Sequence, residues 1–286
     1  MVVNNMDVEF VKMNATKSGK CGEDLYFYLL GSDLYIEGTG ELDMYFEEWY
    51  EEYDALPYSV EKVVIGHGCT VIGEGAFGRG AESIAQCWLY LTSIELPESV
   101  KIIKGGAFEL CEELQHIHIP SSVEEIGSEA FAECSSLASI EIPAGVKKIG
   151  ERVFLGCEKL TGIHVDPNNA NYTSVDGVLF DKQMHTLVSF PDNRTGAYII
   201  PDDVSVIGES AFFNTYLTGI KIPDSVVRID SLAFGNYSFT GGPGLSEIKI
   251  PDSVTEIAWN AFSGVTHIEY FGPAESKYNW GALSRN

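Results

Sequence analysis

Basic residues are scarce in this sequence. Lysine and arginine together number 18, against 42 aspartate and glutamate residues, which gives a formal net charge of −24 over 286 residues. A field of this sign repels nucleic-acid phosphates and anionic membrane surfaces. The composition therefore excludes nucleic acid as an expected partner and leaves basic, cationic or neutral ones.

Long apolar runs are missing as well. No stretch of about 18 apolar residues occurs, so the sequence predicts no membrane insertion. The opening, MVVNNMDVEFVKMNATKSGK, lacks a basic start followed by an apolar run, so no export signal is visible in this chain. A hydrophobic content of 45% nevertheless provides for a substantial core, and we expect one continuous folded unit.

What the sequence does contain is a repeat. The segments PESVKIIKGGAFELCEELQHIHI, PSSVEEIGSEAFAECSSLASIEI and PAGVKKIGERVFLGCEKLTGIHV begin at Pro97, Pro120 and Pro143, a spacing of 23 residues. A fixed period of about 20 to 50 residues is typical of a solenoid, in which each rung buries its apolar edge against its neighbours.

Each repeat predicts one strand and one arc. The alternation at the end of the first segment points Ile117 and Ile119 into the core and His116 and His118 outward. The proline that follows ends the strand, because it cannot donate to a continued ladder. Beyond it we expect a turn of helix or loose coil and then a short helical turn that buries Phe131. Stacked strands would lie about 4.8 Å apart in a parallel sheet.

The first part of the chain predicts an N-terminal cap over residues 1–57. Apolar residues alternate on both sides of Gly31 and Ser32, which indicates a β-hairpin. The acidic and aromatic run at 43–54 is compatible with a short helix or an irregular loop. A cap is needed because a solenoid exposes its first rung to water.

The solenoid itself is predicted over residues 58–272, with about eight rungs. An elaborated rung at 166–200 contains two short strands and a hairpin. A C-terminal cap is expected at 273–286, where Trp280 and Leu283 would cover the open end.

The phrase IPSSVEEIGSEAFAECSSLASIEIP resembles the repeat of the BspA-like leucine-rich repeat proteins, and it recurs with variation from about Val60 to Pro273. Two further stretches, VDPNNANYTSVDGVLFDKQMHTLVSFP and CGEDLYFYLLGSDLYIEGTGEL, resemble less common pieces of the same family. The fold implied is an α/β solenoid, a right-handed leucine-rich-repeat superhelix. It has a parallel β-sheet on the concave face and short helical turns or coil on the convex side. The resemblance also implies surface or secreted proteins of bacteria or protists, linked to adhesion and matrix-protein binding, and it supplies no catalytic residues.

The cysteines follow the repeat. Cys111, Cys134 and Cys157 are 23 residues apart in one slot, so we expect them to be buried packing residues, because free cysteine is among the most buried residue types. The other three cysteines cannot be paired from the sequence. Neither a Cys-x-x-Cys motif nor a phosphate-binding loop occurs, since the GGPG at 241–244 lacks a following lysine. No cofactor is predicted.

Two imagined catalytic pairs are Cys111 with His116 and His185 with Ser189. For both, ordinary packing or surface roles on the repeat are the favoured interpretation.

Binding is expected on the outward strand positions, because solenoids use extended concave surfaces for recognition. Ser189 and Leu187 are assigned to these outward rows. The candidate binding residues are Glu95, His116, His118, Glu141, His164, Lys221, Lys249 and Glu269, with Trp88 and Tyr90 as loop candidates.

One group on these rows stands out. His118, Glu141 and His164 would lie on three successive strands, with the two histidines about 9.6 Å apart. A shared metal would require both imidazoles to lean strongly toward the middle strand, so no metal site is predicted. A mildly pH-sensitive binding face is a hypothesis, because histidine ordinarily gains charge near pH 6.5.

Together these observations predict a monomeric, non-enzymatic binding module that recognises a protein or glycan on its concave face and inserted loops. An intracellular scaffold or effector that uses the same surface is the first alternative. A metal-dependent or catalytic protein is the second.

Overall fold

The described part of the molecule leaves out several of the irregular segments. The acidic aromatic run beyond residue 43, the insertion at 79–87 with Cys87, and the glycine-rich loop at 240–244 lie outside it. The computed structural model describes residues 8–43, 60–78, 88–236, 245–275 and 279–285.

The described elements are almost all short strands. One α-helix, α1 (Val8–Asn14), precedes them, and a 3-10 helix (Asn279–Gly281) lies near the end. The first eleven strands are β1 (Lys17–Lys20), β2 (Asp24–Leu30), β3 (Asp33–Leu42), β4 (Lys62–Ile65), β5 (Cys69–Ile72), β6 (Ser93–Glu95), β7 (Ile102–Ile103), β8 (Glu125–Ile126), β9 (Ser139–Ile142), β10 (Lys148–Ile149) and β11 (Gly162–Val165). The others are β12 (Tyr172–Val175), β13 (Val178–Asp181), β14 (Thr186–Ser189), β15 (Gly196–Ile199), β16 (Val206–Ile207), β17 (Leu217–Lys221), β18 (Arg228–Ile229), β19 (Glu247–Lys249), β20 (Glu256–Ile257), β21 (His267–Glu269) and β22 (Ser284–Arg285).

The predicted N-terminal hairpin is confirmed. Strands β2 and β3 pair antiparallel about a turn in which Gly31 takes a φ of +66°, a conformation that glycine adopts without a steric cost. Phe27 faces Ile36 and Leu29 faces Leu34, and all four side chains are buried. Strand β1 adds a third strand to the outside of β2.

The hairpin also supplies the partner of the first rung. The first half of β3 pairs parallel with β4, and its second half pairs parallel with β5. A register shift after Gly40 separates the two halves. The ten-residue strand β3 therefore pairs with both strands of the rung that follows.

Most described rungs carry two strands, where the sequence predicted one. The rung that begins at Pro97 is an exception, because it contains only β7. We call β4, β6, β9, β11, β15, β17, β19, β21 and β22 the display ladder, and β5, β7, β8, β10, β14, β16, β18 and β20 the second ladder. A proline turn joins them, as where Val123 N–H donates to Pro120 O at 3.1 Å. Val123 and Glu124 are coil, which is one of the two expected forms, but Ile126 lies in β8, so the expected helical turn or coil is wrong at Ile126. Ile126 is β-branched and suits a strand whose N–H groups reach the preceding rung.

The chain folds into two compact units, residues 1–137 with 148–153, and residues 138–147 with 154–286. In the first unit the path β1-β2-β3-β5-β7-β8-β10 forms one sheet, with β4 and β6 branching from β3. The second unit contains β9 with β11, β15 with β17, β19 with β21 and β22, and the sheet β12-β13-β14-β16-β18-β20. All pairings between rungs are parallel, as a repeat solenoid requires. The predicted domain boundaries stay a prediction.

Turns, and not helices, follow the second ladder in every described rung, so the arc of each rung is coil. Each of these turns buries a phenylalanine at the same position of the repeat, and these rings stack from rung to rung; the turn after β16 buries a second one, Phe213. In the first unit Phe108 lies 5.5 Å from Phe77 and 5.3 Å from Phe131, with planes within 8° of parallel. In the second unit Phe212, Phe234 and Phe262 stack at 5.2 and 5.3 Å.

The elaborated rung at 166–200 is a three-stranded meander. Strands β13 and β14 form the predicted antiparallel hairpin, and β12 adds a third strand, not predicted from the sequence, that pairs with β13 about Asp176 and Gly177. Strand β14 continues in parallel with β16 of the second ladder. The assignment of Leu187 and Ser189 to the outward display rows is therefore wrong, and Leu187 is fully buried.

Asn169 fixes the entry to this meander. It is almost fully buried, and its amide nitrogen donates to Pro143 O and Val146 O at 2.8 and 3.0 Å. Its carbonyl oxygen accepts the backbone N–H groups of Asn171 and Tyr172. Every hydrogen-bonding group of this side chain is used, which explains how an amide is tolerated in the core.

Near the C-terminus, Trp280 is buried as predicted. Its ring packs edge-on to Tyr270 at 5.4 Å, and its carbonyl accepts the Phe262 N–H at 2.9 Å. Leu283 is 75% exposed, so its predicted capping role is wrong. Leu283 directly precedes β22, and its side chain points away from the core, as do the side chains that precede other display strands.

Left-handed backbone recurs just before the buried phenylalanine. Glycine fills this position in two rungs, at Gly75 and Gly106, but Glu129, Arg152, Ser210 and Leu232 take φ values of 53° to 58° there. A side chain in this conformation costs about 1 kcal/mol or more. These rungs retain the strain because the turn is imposed by stacking on both neighbours.

We expect Ser210→Gly to raise the free energy of unfolding by about 1 to 2 kcal/mol, measured by urea denaturation. The change removes a left-handed side chain and also a buried hydroxyl that has no hydrogen-bond partner. The reverse change, Gly106→Ser, occupies the equivalent position at φ 59° and should lower stability. Equal unfolding midpoints for both variants and the parent would contradict this account.

The phenylalanine stack gives a second prediction. Phe131→Ala should cost about 3 to 5 kcal/mol, because the ring is fully buried and its neighbours are held by the backbone ladder and cannot collapse into the cavity. Phe10→Ala is the control, because this ring is 51% exposed and should change stability little. A loss below about 1 kcal/mol for Phe131→Ala in urea denaturation would rule out the stack as a main source of stability.

Candidate functional site

The outward side of the display ladder is the candidate binding surface. In the second unit, Glu141 of β9 is the register partner of His164 of β11, and both side chains are exposed. Ile140 and Ile163, the inward neighbours of this pair, are buried. The alternation predicted from the sequence thus holds where these strands pair.

Two further pairs continue the outward row in the second unit. Ile199 of β15 faces Lys221 of β17, and Lys249 of β19 faces Glu269 of β21. Ile199 is 66% exposed, which is unusual for a large aliphatic side chain. The surface therefore combines one apolar position with charges of both signs.

The first unit has an outward row of its own, which runs from the hairpin into β4 and β6. Tyr28 of β2 faces Tyr35 of β3, Tyr35 faces Val64 of β4, and Val64 faces Glu95 of β6. Sequence reasoning treated the hairpin as a cap and missed Tyr26 and Tyr28 as surface residues. The signal was available, because both tyrosines alternate with the buried Leu25, Phe27 and Leu29.

Lysines already cover two of these rings. Lys20 Nζ lies 5.6 Å from the Tyr26 ring centroid, and Lys12 Nζ lies 5.9 Å from that of Tyr28. Such contacts contribute about 0.5 to 1 kcal/mol at exposed sites. Tyr35 is buried, and burial is the main cause that raises its pKa, with the neighbouring Asp33 carboxylate adding to the effect. The tyrosine side chains of the hairpin are therefore held in place by contacts within the chain.

Charges on the display ladder pair across rungs. Lys62 Nζ lies 2.6 Å from Glu95 Oε1, and Lys249 Nζ lies 2.9 Å from Glu269 Oε1. The hydrogen bond to Glu269 raises the pKa of Lys249, and that to Glu95 raises the pKa of Lys62. Exposed pairs of this kind contribute little to stability, so their effect is to set the pattern of charge that a partner meets.

The predicted row of His118, Glu141 and His164 is only partly formed. His118 lies in the segment 114–120, which keeps the alternation of buried and exposed side chains but forms no strand. The expectation of three successive strands is therefore wrong at His118, since residues 115–119 donate no backbone hydrogen bond to another rung in the part of the chain that the structure describes. His118 belongs to the first unit, whereas Glu141 and His164 belong to the second.

The ring of His164 lies back over Gly162. A Cβ built on Gly162 would meet the imidazole at 2.9 Å, and Gly177 from the meander turn packs against the same glycine. Within the described residues, no three His, Cys, Asp or Glu side chains are grouped so that they could hold a metal ion.

The remaining sequence candidates divide by exposure. His116 is exposed on the segment that precedes Pro120, and Tyr90 is 53% exposed. Trp88 is fully buried and packs edge-on to Phe77 at 5.2 Å, so its placement as a loop contact is wrong. The indole fills the core beside the first phenylalanine of the stack. The sequence did not predict this role because the neighbouring insertion interrupts the repeat spacing.

The described cysteines are buried, as the repeat predicted for Cys111, Cys134 and Cys157. Cys111 and Cys134 donate to Phe77 O and Phe108 O at 3.2 and 3.1 Å. Burial raises the pKa of Cys69 to about 11 and that of Cys134 well above its ordinary value. A buried, protonated thiol is a poor nucleophile, so the pairing of Cys111 with His116 has no chemical support.

Glu37 carries a carboxyl group that is partly buried in the folded protein. Its carboxylate lies against Gly66, where a Cβ would come within 2.5 Å of Oε2. Burial raises the pKa of this carboxyl, and the nearby Lys12 and His67 only partly oppose the shift. Because the folded state binds the proton more tightly than the unfolded state, this residue contributes stability at acidic pH that is lost as the pH rises through the raised pKa.

Glu37→Gln should therefore raise the thermal midpoint at neutral pH, because the amide carries no charge to desolvate. The difference from the parent should shrink as the pH falls through the raised pKa of Glu37, where the parent carboxyl is already neutral. Thermal unfolding followed by circular dichroism from acidic to neutral pH measures it. A difference that does not vary with pH would contradict the assignment.

The repeat geometry has counterparts in known proteins. The model of the BspA-type leucine-rich repeat region matches residues 80–198 and 188–271, with six copies of the repeat. No curated protein matches the chain. No helix among the described residues is both long enough and apolar enough to cross a membrane.

Two solved structures have the same fold. A leucine-rich repeat protein from Eubacterium ventriosum is 26% identical, with a TM-score of 0.73, and the match covers 91% of this chain and 73% of that one. A leucine-rich repeat protein from Bacteroides ovatus is 20% identical, with a TM-score of 0.54 and coverages of 91% and 69%. The periodic rungs, the parallel ladders and the family match lead to one conclusion: the chain belongs to the BspA-type leucine-rich repeat family.

Proposed function

We propose that this chain is a non-enzymatic binding module of a surface or secreted protein, and that it holds a protein or glycan partner on its display ladder. Leucine-rich repeats generally mediate protein interactions, so the family suggests a protein-binding repeat module. In this proposal the ladder forms the concave face of a right-handed solenoid that acts as a monomer. Adhesion is the activity that such a module would serve.

One observation carries the proposal. Along β9 and β11 the inward isoleucines are buried while Glu141 and His164 are exposed, so the core of the protein does not require the outward side chains. Side chains that the core does not need are available for recognition. Ile199 strengthens the argument, because a large aliphatic residue that is 66% exposed gains free energy when a partner covers it.

Charge supports a protein or neutral glycan over a polyanion. The chain carries 42 acidic and 18 basic residues, and the outward rows present paired charges of both signs and no basic patch among the residues that the structure describes. Paired charges give specificity to a protein contact by penalising partners with the wrong pattern. They offer no counterion release to nucleic acid.

The proposal of a non-enzymatic role rests on the state of the nucleophiles. The described thiols are buried, and burial raises the pKa of both Cys69 and Cys134, which keeps these two thiols protonated. The imagined pair of His185 and Ser189 lies on the meander, where Ser189 belongs to a strand of the second ladder.

An array of immobilised matrix proteins and glycans, probed with the labelled chain, tests the proposal. For any partner retained, Ile199→Asp should weaken binding at least about tenfold, the loss expected when one central residue contributes about 1.4 kcal/mol. Val227→Asp is the matched control, because this aliphatic side chain is 45% exposed and lies outside the display ladder. The Val227→Asp variant should bind the partner with the same affinity as the parent chain.

Two results would count against the proposal. One is a partner whose affinity falls with Val227→Asp and is unchanged by Ile199→Asp. The other is a partner that responds only to Tyr90→Ala, which would move recognition to the loop that follows the first rung.

A further inference from the structure

The hairpin of the first unit has an outward face that is rich in tyrosine. Cross-strand partners of an antiparallel pair lie on the same side of the sheet, so Tyr28 and its partner Tyr35 share this side with Tyr26 and its partner Glu37. The residues of β2 that alternate with the two tyrosines are buried on the opposite side. We call Tyr26, Tyr28, Tyr35 and Glu37 the tyrosine face.

Helix α1 lies on this face. It contacts β2, and Lys12 Nζ is 5.9 Å from the centroid of the Tyr28 ring. Lys12 also acts on Glu37, because burial raises the pKa of that carboxyl and the charge of Lys12 is the largest influence that opposes the rise. Tyr28 and Glu37 both belong to the tyrosine face, so α1 packs on the outward side of the hairpin.

Burial in both elements agrees with this placement. Val11 is the buried residue of α1, with 2% of its surface exposed. Tyr35 is only 8% exposed although it belongs to the outward side of the hairpin, whereas Tyr26 on the same face is 40% exposed. An aliphatic side chain of α1 and a tyrosine of the hairpin are thus both removed from water.

The helix has little stability of its own. It is seven residues long, and isolated helices shorter than about 12 to 15 residues are marginal in water. Phe10 and Met13 are 51% and 75% exposed, so the packing of α1 itself depends on Val11 and on the contact of Lys12 with the tyrosine ring. Elements held by so few apolar contacts open at a low free-energy cost.

The connection after α1 allows the helix to leave without disturbing the hairpin. The Asn14 side chain donates to Phe10 O at 2.8 Å and ends the helix. Two residues later, the Thr16 N–H donates to Leu29 O at 2.8 Å, and β1 then pairs with β2 along its whole length. The ladder of the hairpin therefore begins only after the helix has ended.

The tyrosine face is continuous with the outward row of the first unit. Tyr35 is the register partner of Val64 in β4, and Val64 is that of Glu95 in β6. Helix α1 therefore occupies the hairpin end of this row. It also shows which chemistry fits there, namely an aliphatic side chain directly followed by a cation that lies over an aromatic ring and near a carboxylate.

We propose that α1 is a displaceable cover on the tyrosine face, and that a partner protein replaces it with a segment in which an aliphatic residue is followed by lysine or arginine. This proposal rests on the proposed function of the outward rows as a partner surface. It adds a partner chemistry at the hairpin end and a competition between α1 and the partner for the same tyrosines.

The rate at which tetranitromethane nitrates each tyrosine of the full chain, measured by mass spectrometry, tests the cover. Val11→Asp should release α1, because a carboxylate is costly to bury, and the nitration rate of Tyr28 should rise toward that of Tyr26 in the same chain. Phe10→Asp is the matched control, since it adds the same charge to an exposed position of the same helix, and it should leave the Tyr28 rate at the parent value.

A milder variant guards against a general loss of structure. Val11→Ala should raise the Tyr28 rate by less than Val11→Asp does, because it removes apolar contact without adding a charge. In both variants the amide shifts of Phe27 and Ile36, which are buried on the opposite side of the hairpin, should remain those of the parent.

A peptide tests the partner chemistry. The capped peptide Val-Glu-Phe-Val-Lys-Met-Asn copies residues 8–14, and it should shift the amide signals of Tyr28, Tyr35 and Glu37 in the isotope-labelled full chain that carries Val11→Asp. The parent chain should bind the peptide at least about tenfold more weakly, because its own helix occupies the face.

The charge of the peptide separates specific docking from general adhesion. Replacement of its lysine by glutamate should weaken binding at least about threefold, the loss of a cation over an aromatic ring. Replacement of its methionine by glutamate adds the same negative charge at the position of the exposed Met13 and should leave the affinity unchanged.

Three results would overturn the inference. They are equal nitration rates of Tyr28 in the Val11→Asp and Phe10→Asp variants, equal affinity of the peptide for the parent and the Val11→Asp chain, and no shifts at Tyr28 and Tyr35 up to the solubility limit of the peptide. None of these measurements involves Ile199, so the array experiment decides the proposed function separately.

Discussion

The backbone hydrogen bonds between successive rungs constrain everything else in this molecule. Each rung must place its N–H groups opposite carbonyls of the rung before it, at a strand spacing near 4.8 Å. A period of 23 residues keeps this register through the three regular copies, and each position then repeats as a column. The stacked phenylalanines, at 5.2 to 5.5 Å, are one such column. The strain at Glu129 and Ser210 is tolerated because a register fixed on both sides leaves the turn no alternative.

The same constraint determines what the surface presents. Because outward residues lie in columns, a lysine in one rung meets whatever its neighbours carry at the same position, and this chain repeatedly places a glutamate there. These pairs are individually weak, but together they spread charge over a protein of net −24 in a pattern that a partner must match. The tyrosines of the hairpin join this pattern only because β3 pairs in parallel with the first rung.

Sequence reasoning succeeds where period and alternation act alone. Ile117 and Ile119, the burial of Cys111 and Cys134, and the hairpin about Gly31 all follow from patterns of two or 23 residues. It fails where a backbone contact has no side-chain signature. The two-residue strand at Ile126 looks like a turn, since a single β-branched residue gives no alternation. Counting rungs by apolar spacing placed Leu187 on the display ladder, because a meander also alternates. Trp88 was misassigned since burial of an aromatic beside an insertion depends on its neighbours in space.

The positions where the backbone leaves the hydrogen-bonded ladders are therefore the ones that distinguish this chain from a regular repeat. A backbone group that leaves the ladder must find water, a side chain or another chain, because an unsatisfied one is costly when it is buried. In the meander, Asn169 and Gly177 meet that demand internally, the first with four hydrogen bonds and the second by accepting the Ile163 N–H. Among the described residues, 115–119 donate no backbone hydrogen bond to a neighbouring rung, and this segment keeps its alternation of buried and exposed side chains without forming a strand. The regular repeat therefore specifies the scaffold, and each interruption of its hydrogen-bonded ladders is a position where the chain needs a local solution of its own.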